Sequence, residues 1–176
     1  SFDELGFPTS TRGNERWKYT SVAPIARATF EYPLAGVTGV NGIAAAELDK
    51  ATPYAEVWGR LVFVDGHYRG DLSSPRNTDE IRVVNLADAV IEHGEVVQGS
   101  LAGLARVDED GFTALNTAFI DDGAFVHLPD DSPRPHTLHL VFVSSGRPRP
   151  TASHPRTLIV VGRNTDLAIV EAIGRG

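Results

Sequence analysis

A chain of 176 residues with a formal net charge of −7, no cysteine and 41% hydrophobic residues is long enough for one good core, or a small cap plus part of a second unit. The acidic balance argues against a general nucleic-acid or anionic-membrane binder, and apolar runs such as 124–126 and 140–143 fall far short of the roughly 20 residues that cross a bilayer. Without cysteine there is no disulfide framework and no cysteine-ligated cluster in this segment, which points to a reducing, cytoplasmic compartment.

No secretory leader precedes Phe2, and without methionine Ser1 reads as an internal start, so the chain is expected to be a fragment. Charge is unevenly placed. From Ser132 to Thr165 there is no Asp or Glu, while Arg134, Arg147, Arg149, Arg156 and Arg163 fall there. Such a strip serves either as a docking face or, more simply, as arginines on solvated turns bonded to nearby carbonyls.

In chain order, Asn14 can cap a short helix carrying Trp17 and Tyr19, both expected to pin an N-terminal cap. Pro24 ends that helix or begins another turn. Residues 33–42 read as loop and 43–50 as a modest helix. Gly59 to Val64 is a strand, and Asp65-Gly66 before His67 supplies the positive backbone angles of a two-residue hairpin turn. Ile81 to Val84 is a second short strand. Asn85 then reads as an N-cap, with Asp88 reaching back, for a helix to about His93; another runs from about Glu95 to Arg106.

Between Asp110 and Asp121, Phe112, Leu115 and Phe119 recur at helical spacing. After Asp122-Gly123 the period changes. Segments 124–128, 137–144, 157–161 and 167–172 are short, rich in Val, Ile, Leu and Phe, and separated by Pro, Gly, Asn and Asp. Strands without hairpin dipeptides between them fit a sandwich or a parallel β-helix. The chain thus divides into an α-rich cap over 1–120 and the start of an all-β unit over 121–176, an α+β class.

Four segments together resemble the SufD family. They are Phe7-Pro8-Thr9 with Asn14-Glu15-Arg16-Trp17-Lys18-Tyr19-Thr20; Leu61-Val62-Phe63-Val64-Asp65-Gly66; Phe112 to Phe119 followed by Asp122-Gly123-Ala124-Phe125-Val126; and His154-Pro155-Arg156-Thr157-Leu158-Ile159-Val160-Val161-Gly162. Each is weak alone, whereas their order and spacing span nearly the whole chain, and the Trp-Lys-Tyr-Thr opening is similar to SufD rather than to its paralogue SufB. Arg134-Pro135-His136-Thr137 departs from the family's Glu and Pro-Ile at that turn. The resemblance implies a helical cap with a small hairpin, a right-handed parallel β-helix and C-terminal helices that dock the ATPase SufC, with SufB paired through the β-helix. It implies a non-catalytic scaffold for iron-sulfur cluster assembly, with the cluster handled by the full complex and no cofactor in this segment. The family's functional cysteine and histidine positions lie later, so no catalytic, cofactor-binding or metal residue carries over.

The residues themselves offer little chemistry. His127, His136, His139 and His154 invite a metal, yet His136 and His139 fall on opposite faces of a strand and a site needs three or more convergent ligands. Ser144-Ser145-Gly146 lacks the nucleophile elbow, and the carboxylates at 108–110, 121–122 and 130–131 sit where Asp caps turns and helices. There is no phosphate loop. Trp17, Tyr19 and Trp58 read as core or interface anchors. The alternative to a scaffold is a β-rich small-molecule or metal-binding enzyme using these histidines and the basic strip. A β-helix is stabilised by stacking, so a chain stopping at Gly176 leaves Val160, Ile169 and Ile173 near an open end and is expected to self-associate there or be marginally stable.

Overall fold

The computed structural model describes residues 1–9, 15–33, 48–49, 59–145 and 149–175. The expected Asn14 cap, the loop after Pro33, most of the 43–50 helix, Trp58 and Arg147 lie outside them. The described elements are α1 (Phe2–Leu5), a 3-10 turn (Glu15–Trp17), α2 (Ala23–Arg27), β1 (Gly59–Val64), β2 (His67–Tyr68), β3 (Arg82–Asn85), α3 (Leu86–Glu92), α4 (Gly94–Leu104), α5 (Gly111–Phe119), β4 (Gly123–Leu128), β5 (His136–Ser144), β6 (Arg156–Val161) and β7 (Leu167–Arg175). The fold is mixed α/β, and Pro24 stands at the start of α2.

Two sheets carry it, ordered β2-β1-β5-β7 and β3-β4-β6. β1 pairs in parallel with β5 and β5 with β7, while β4 pairs in parallel with β6. Among the described strands, β1–β2 and β3–β4 pair antiparallel, and single antiparallel bridges join Arg60 to Ser74 and Thr78 to Ile81. From β4 onward the chain therefore alternates between the sheets, returning with Gly123 opposite Arg156 and His136 opposite Leu167. The expected division near residue 120 meets sheets built from both sides of it, since β1 lies on β5 and β3 on β4.

Side-chain alternation explains why β1 reads as an unbroken apolar run. Leu61 and Phe63 point between the sheets, joining Val83, Val126, Leu138 and Leu140. Val62 and Val64 point outward to a second cluster with Leu48, Leu72 and Val141. Both faces are thus buried, as parallel sheets require. On the far side α3 and α4 cover the smaller sheet through Leu86, Ala89 and Val97 against Phe125 and Leu158.

The hairpin turn has Asp65 at φ 52° and Gly66 at φ 87°. Gly66 is doubly constrained, because a Cβ there would lie 2.7 Å from Cβ of Ser153.

The start of α3 corrects the local reading. Asn85 has the extended backbone of an N-cap, but its side chain makes no capping bond. It donates instead to Asp122, at 3.4 and 3.5 Å, and Asp122 Oδ1 accepts the Ala87 N–H at 3.1 Å. The cap comes from the α5–β4 turn because the sheet brings Asn85 opposite Ala124. α5 is capped as its sequence indicates, Asp110 accepting from Thr113 N at 3.0 Å.

At the open end, Ile173 is 82% exposed, and Ile169 packs on the inter-sheet core. Val160 lies on β6, the edge strand of the smaller sheet, and faces the helix layer, because strand parity places it with Leu158.

Candidate functional site

The ends of β1 and β5 and the beginnings of β4 and β6 meet at one corner of the two sheets, where Asp65, His67, Asp121, Asp122, Ser153 and His154 come together. Asp65 is 3% exposed and accepts from Ser145 twice, its N–H at 2.8 Å and its hydroxyl at 2.5 Å. Ser145 is thereby tied to the β1–β2 turn. His67 stands between two segments, Nδ1 at 3.5 Å from Asp121 Oδ2 and Nε2 against the Pro33 carbonyl oxygen. Tyr32 hydrogen-bonds Asp121, and its phenol pKa is raised by burial first and by the Asp121 charge second. These groups surround a cavity of about 10 Å³, room for one water molecule.

Beside it runs an apolar groove of about 500 Å³ walled by Phe7, Ile25, Phe30, Phe112, Leu115 and Phe119, with His154 at its polar end. His154 lies 5.5 Å from Phe119 between ring centres, and burial lowers its pKa.

Arg156 ties the corner to α5. Its Nε donates to Asn116 Oδ1 at 2.7 Å and its Nη2 to Thr117 Oγ1 at 2.7 Å, while Asn116 Nδ2 donates to the Pro155 carbonyl at 3.1 Å. Trp17 packs on Phe112 at 5.5 Å, and Phe7 at 5.6 Å. The aromatic opening, the hairpin, the α5 segment and the His-Pro-Arg strand are therefore contact partners, which gives their joint occurrence in the sequence a physical cause. Tyr19 departs from the expected anchoring role: it is 90% exposed, with Lys18 Nζ 5.4 Å from its ring centre.

The histidines do not converge. His127 lies on β4 against Phe125, and His136 is 3.3 Å from Ser132 Oγ and 3.7 Å from Glu80. His139 is on the opposite face of β5, 4% exposed, its pKa lowered by burial and then by the Arg60 charge. Among the described residues no group of three or more His, Asp or Glu could hold a metal ion.

Three arginines of the basic strip are paired with carboxylates outside it. Arg134 pairs with Glu80 at 2.9 Å, Arg149 with Glu31 at 2.5 Å and Arg163 with Asp130 at 2.8 Å. Sequence distance concealed these partners. The Arg134 pair also occupies the turn where the chain departs from the family pattern. Of the acidic pairs, Asp108 and Glu109 bind Arg106, Asp110 caps α5, and Asp131 accepts from Asn164 at 2.8 Å. No described helix is long and apolar enough to cross a membrane.

Sequence reasoning placed Asp122 among carboxylates that cap backbone N–H groups, as it does at α3, but missed its partner Asn85, the Asp65–Ser145 bonds and the His67–Asp121 contact.

The profile of the SufBD protein N-terminal region matches residues 1–139. The iron-sulfur cluster assembly SufBD family protein slr0076 of Synechocystis is 27% identical over 161 residues, covering 92% of this chain and 34% of the relative. The SufBD family protein ycf24 of Trieres chinensis is 28% identical over 87 residues, covering 49% of this chain and 18% of the relative. A second Synechocystis SufBD family protein, slr0074, is 29% identical over 94 residues, 53% of this chain and 19% of the relative. The chain thus spans about a third or less of the length of these relatives. With the matched region running from α1 into the start of β5, the chain belongs to the SufBD family, by its N-terminal region.

Proposed function

We propose that this chain is the front part of a SufD-type subunit, a non-catalytic cytoplasmic scaffold that pairs with a SufB-like subunit and a SufC-like ATPase so that an iron-sulfur cluster is built on the complex. The observation that carries the reading is the family match over 1–139, supported by relatives whose names state iron-sulfur cluster assembly. The Trp17-Lys18-Tyr19-Thr20 opening favours the SufD type. The chemistry-bearing side chains of the corner support a structural role, because Asp65, Asp122 and Arg156 are each committed to a neighbouring segment.

The strand pattern from β4 to β7 supports a parallel β-helix. Consecutive strands fall in alternate sheets and pair in parallel with the strand two places on, which is what stacked coils produce. The cluster is cargo of the assembly in this reading.

The test is co-purification of the full-length chain with SufB-like and SufC-like subunits of the same organism, followed by cluster reconstitution on the complex. A stable complex whose ATPase activity resides in the SufC-like subunit is expected. A full-length chain that binds neither partner, or that turns over a substrate alone, sinks the scaffold reading.

A further inference from the structure

The apolar groove beside the polar corner takes its walls from separate parts of the chain, with Ile25 on α2, Phe30 and Tyr32 beyond it, and Phe112, Leu115 and Phe119 on α5. Ile25, Phe30, Tyr32 and Phe119 are 40–52% exposed, although all four line one space of about 500 Å³. Large apolar side chains left this open around a common space form a site of the size that takes a small molecule.

Most polar groups on the rim are already committed. Glu31 pairs with Arg149, Asn116 bonds Arg156 and the Pro155 carbonyl, and Tyr32 hydrogen-bonds Asp121. His154 and Ser153 remain, since neither side chain has a hydrogen-bond partner among the described residues. The His154 ring lies against Phe119 and borders both the groove and the one-water cavity, so it joins the apolar walls to the polar corner. Burial lowers its pKa, and at pH 7 the neutral ring offers one donating and one accepting nitrogen. A hydroxyl can meet either nitrogen, whereas a carboxylate has no proton to give. A peptide strand laid in the groove would bury N–H and C=O groups that two free side chains cannot satisfy.

We propose that this groove binds a small aromatic molecule with one hydroxyl, a phenol of one or two rings, whose rings pack on Phe30, Phe112 and Phe119 and whose hydroxyl bonds the His154 imidazole. Aromatic walls favour an aromatic occupant through offset and edge-to-face contacts. The site does not depend on the assembly partners proposed above.

The test titrates the full-length chain with 2-naphthol and follows the fluorescence of the probe. Saturable binding with a Kd below about 1 mM is expected. His154→Leu removes the hydrogen-bond partner and weakens binding roughly 3- to 10-fold, while His154→Gln, which keeps a donor and an acceptor, recovers most of the loss. Ile25→Trp fills the groove from an exposed wall, weakens binding more than about 10-fold and leaves the Tm of the free chain unchanged. Equal affinity of the wild type and His154→Leu overturns the proposal. Absence of saturable binding overturns it as well, and a lowered Tm for Ile25→Trp in that case shows that protein, from this chain or a partner, already fills the groove.

Discussion

Replacing Asp122 with alanine separates the tertiary cap of α3 from the local one. Asp122 is 8% exposed, accepts the Ala87 N–H at 3.1 Å and faces the Asn85 amide at 3.4 Å. Loss of a helix cap costs about 1 kcal/mol, and stranding a buried amide that had only long contacts adds about 1–2 kcal/mol. The sum of about 2–3 kcal/mol accelerates exchange of the amides at the start of α3 roughly 30- to 150-fold where exchange proceeds by local opening. Asp122→Asn keeps an acceptor oxygen and recovers about half of the loss. The assay is hydrogen exchange read by mass spectrometry on the full-length chain, alongside Tm. Were Asn85 the cap, Asn85→Ala would cost as much as Asp122→Ala. Equal effects, or an Asp122→Ala effect under about 0.5 kcal/mol, would refute the reasoning.

Three further outcomes are expected. Arg156→Ala removes two charge-assisted bonds to α5 and destabilises by about 2–3 kcal/mol; a cycle with Asn116→Ala yields a coupling above about 0.5 kcal/mol, whereas additive losses would show that the bonds do not hold the corner. Trp17→Ala costs about 2–4 kcal/mol through lost packing on Phe112, while Tyr19→Ala at its 90% exposed position stays within about 0.5 kcal/mol; denaturant midpoints compare them, and equal costs contradict the arrangement. His139 has its folded pKa depressed by burial, so the unfolded chain binds more protons below the usual imidazole value of about 6.5. Its contribution is complete above that pH and is lost as pH falls toward the folded pKa. Thermal melts from pH 7.5 to 5 show a decline that His139→Gln reduces, and an unchanged decline would assign the pH dependence to other groups.

How much was legible depended on how local the cause was. Asp65-Gly66 specifies a tight turn by backbone angle alone, and Asp110 caps α5 from three residues away. The boundaries of β4, β6 and α5 followed from apolar periodicity, and the four family segments identified the SufBD relationship. The candidate site was not legible as a site. Its groups are separated by up to 80 residues, as Asp65 and Ser145 are, and only sheet register brings them together.

The sequence by itself determined where turns fall, which stretches are helix or strand, and the family, because these rest on backbone preference, side-chain period and ordered motifs. Tertiary structure decided the rest. It placed β1 on β5, moved the α3 cap from Asn85 to Asp122, paired Arg149, Arg134 and Arg163 of the basic strip with Glu31, Glu80 and Asp130, and turned Val160 to the helix layer. The physical reason is common to all four. Hydrogen bonds, ion pairs and burial act over a few ångströms in space, and chain order does not encode those distances until strand pairing in the two sheets has set the register.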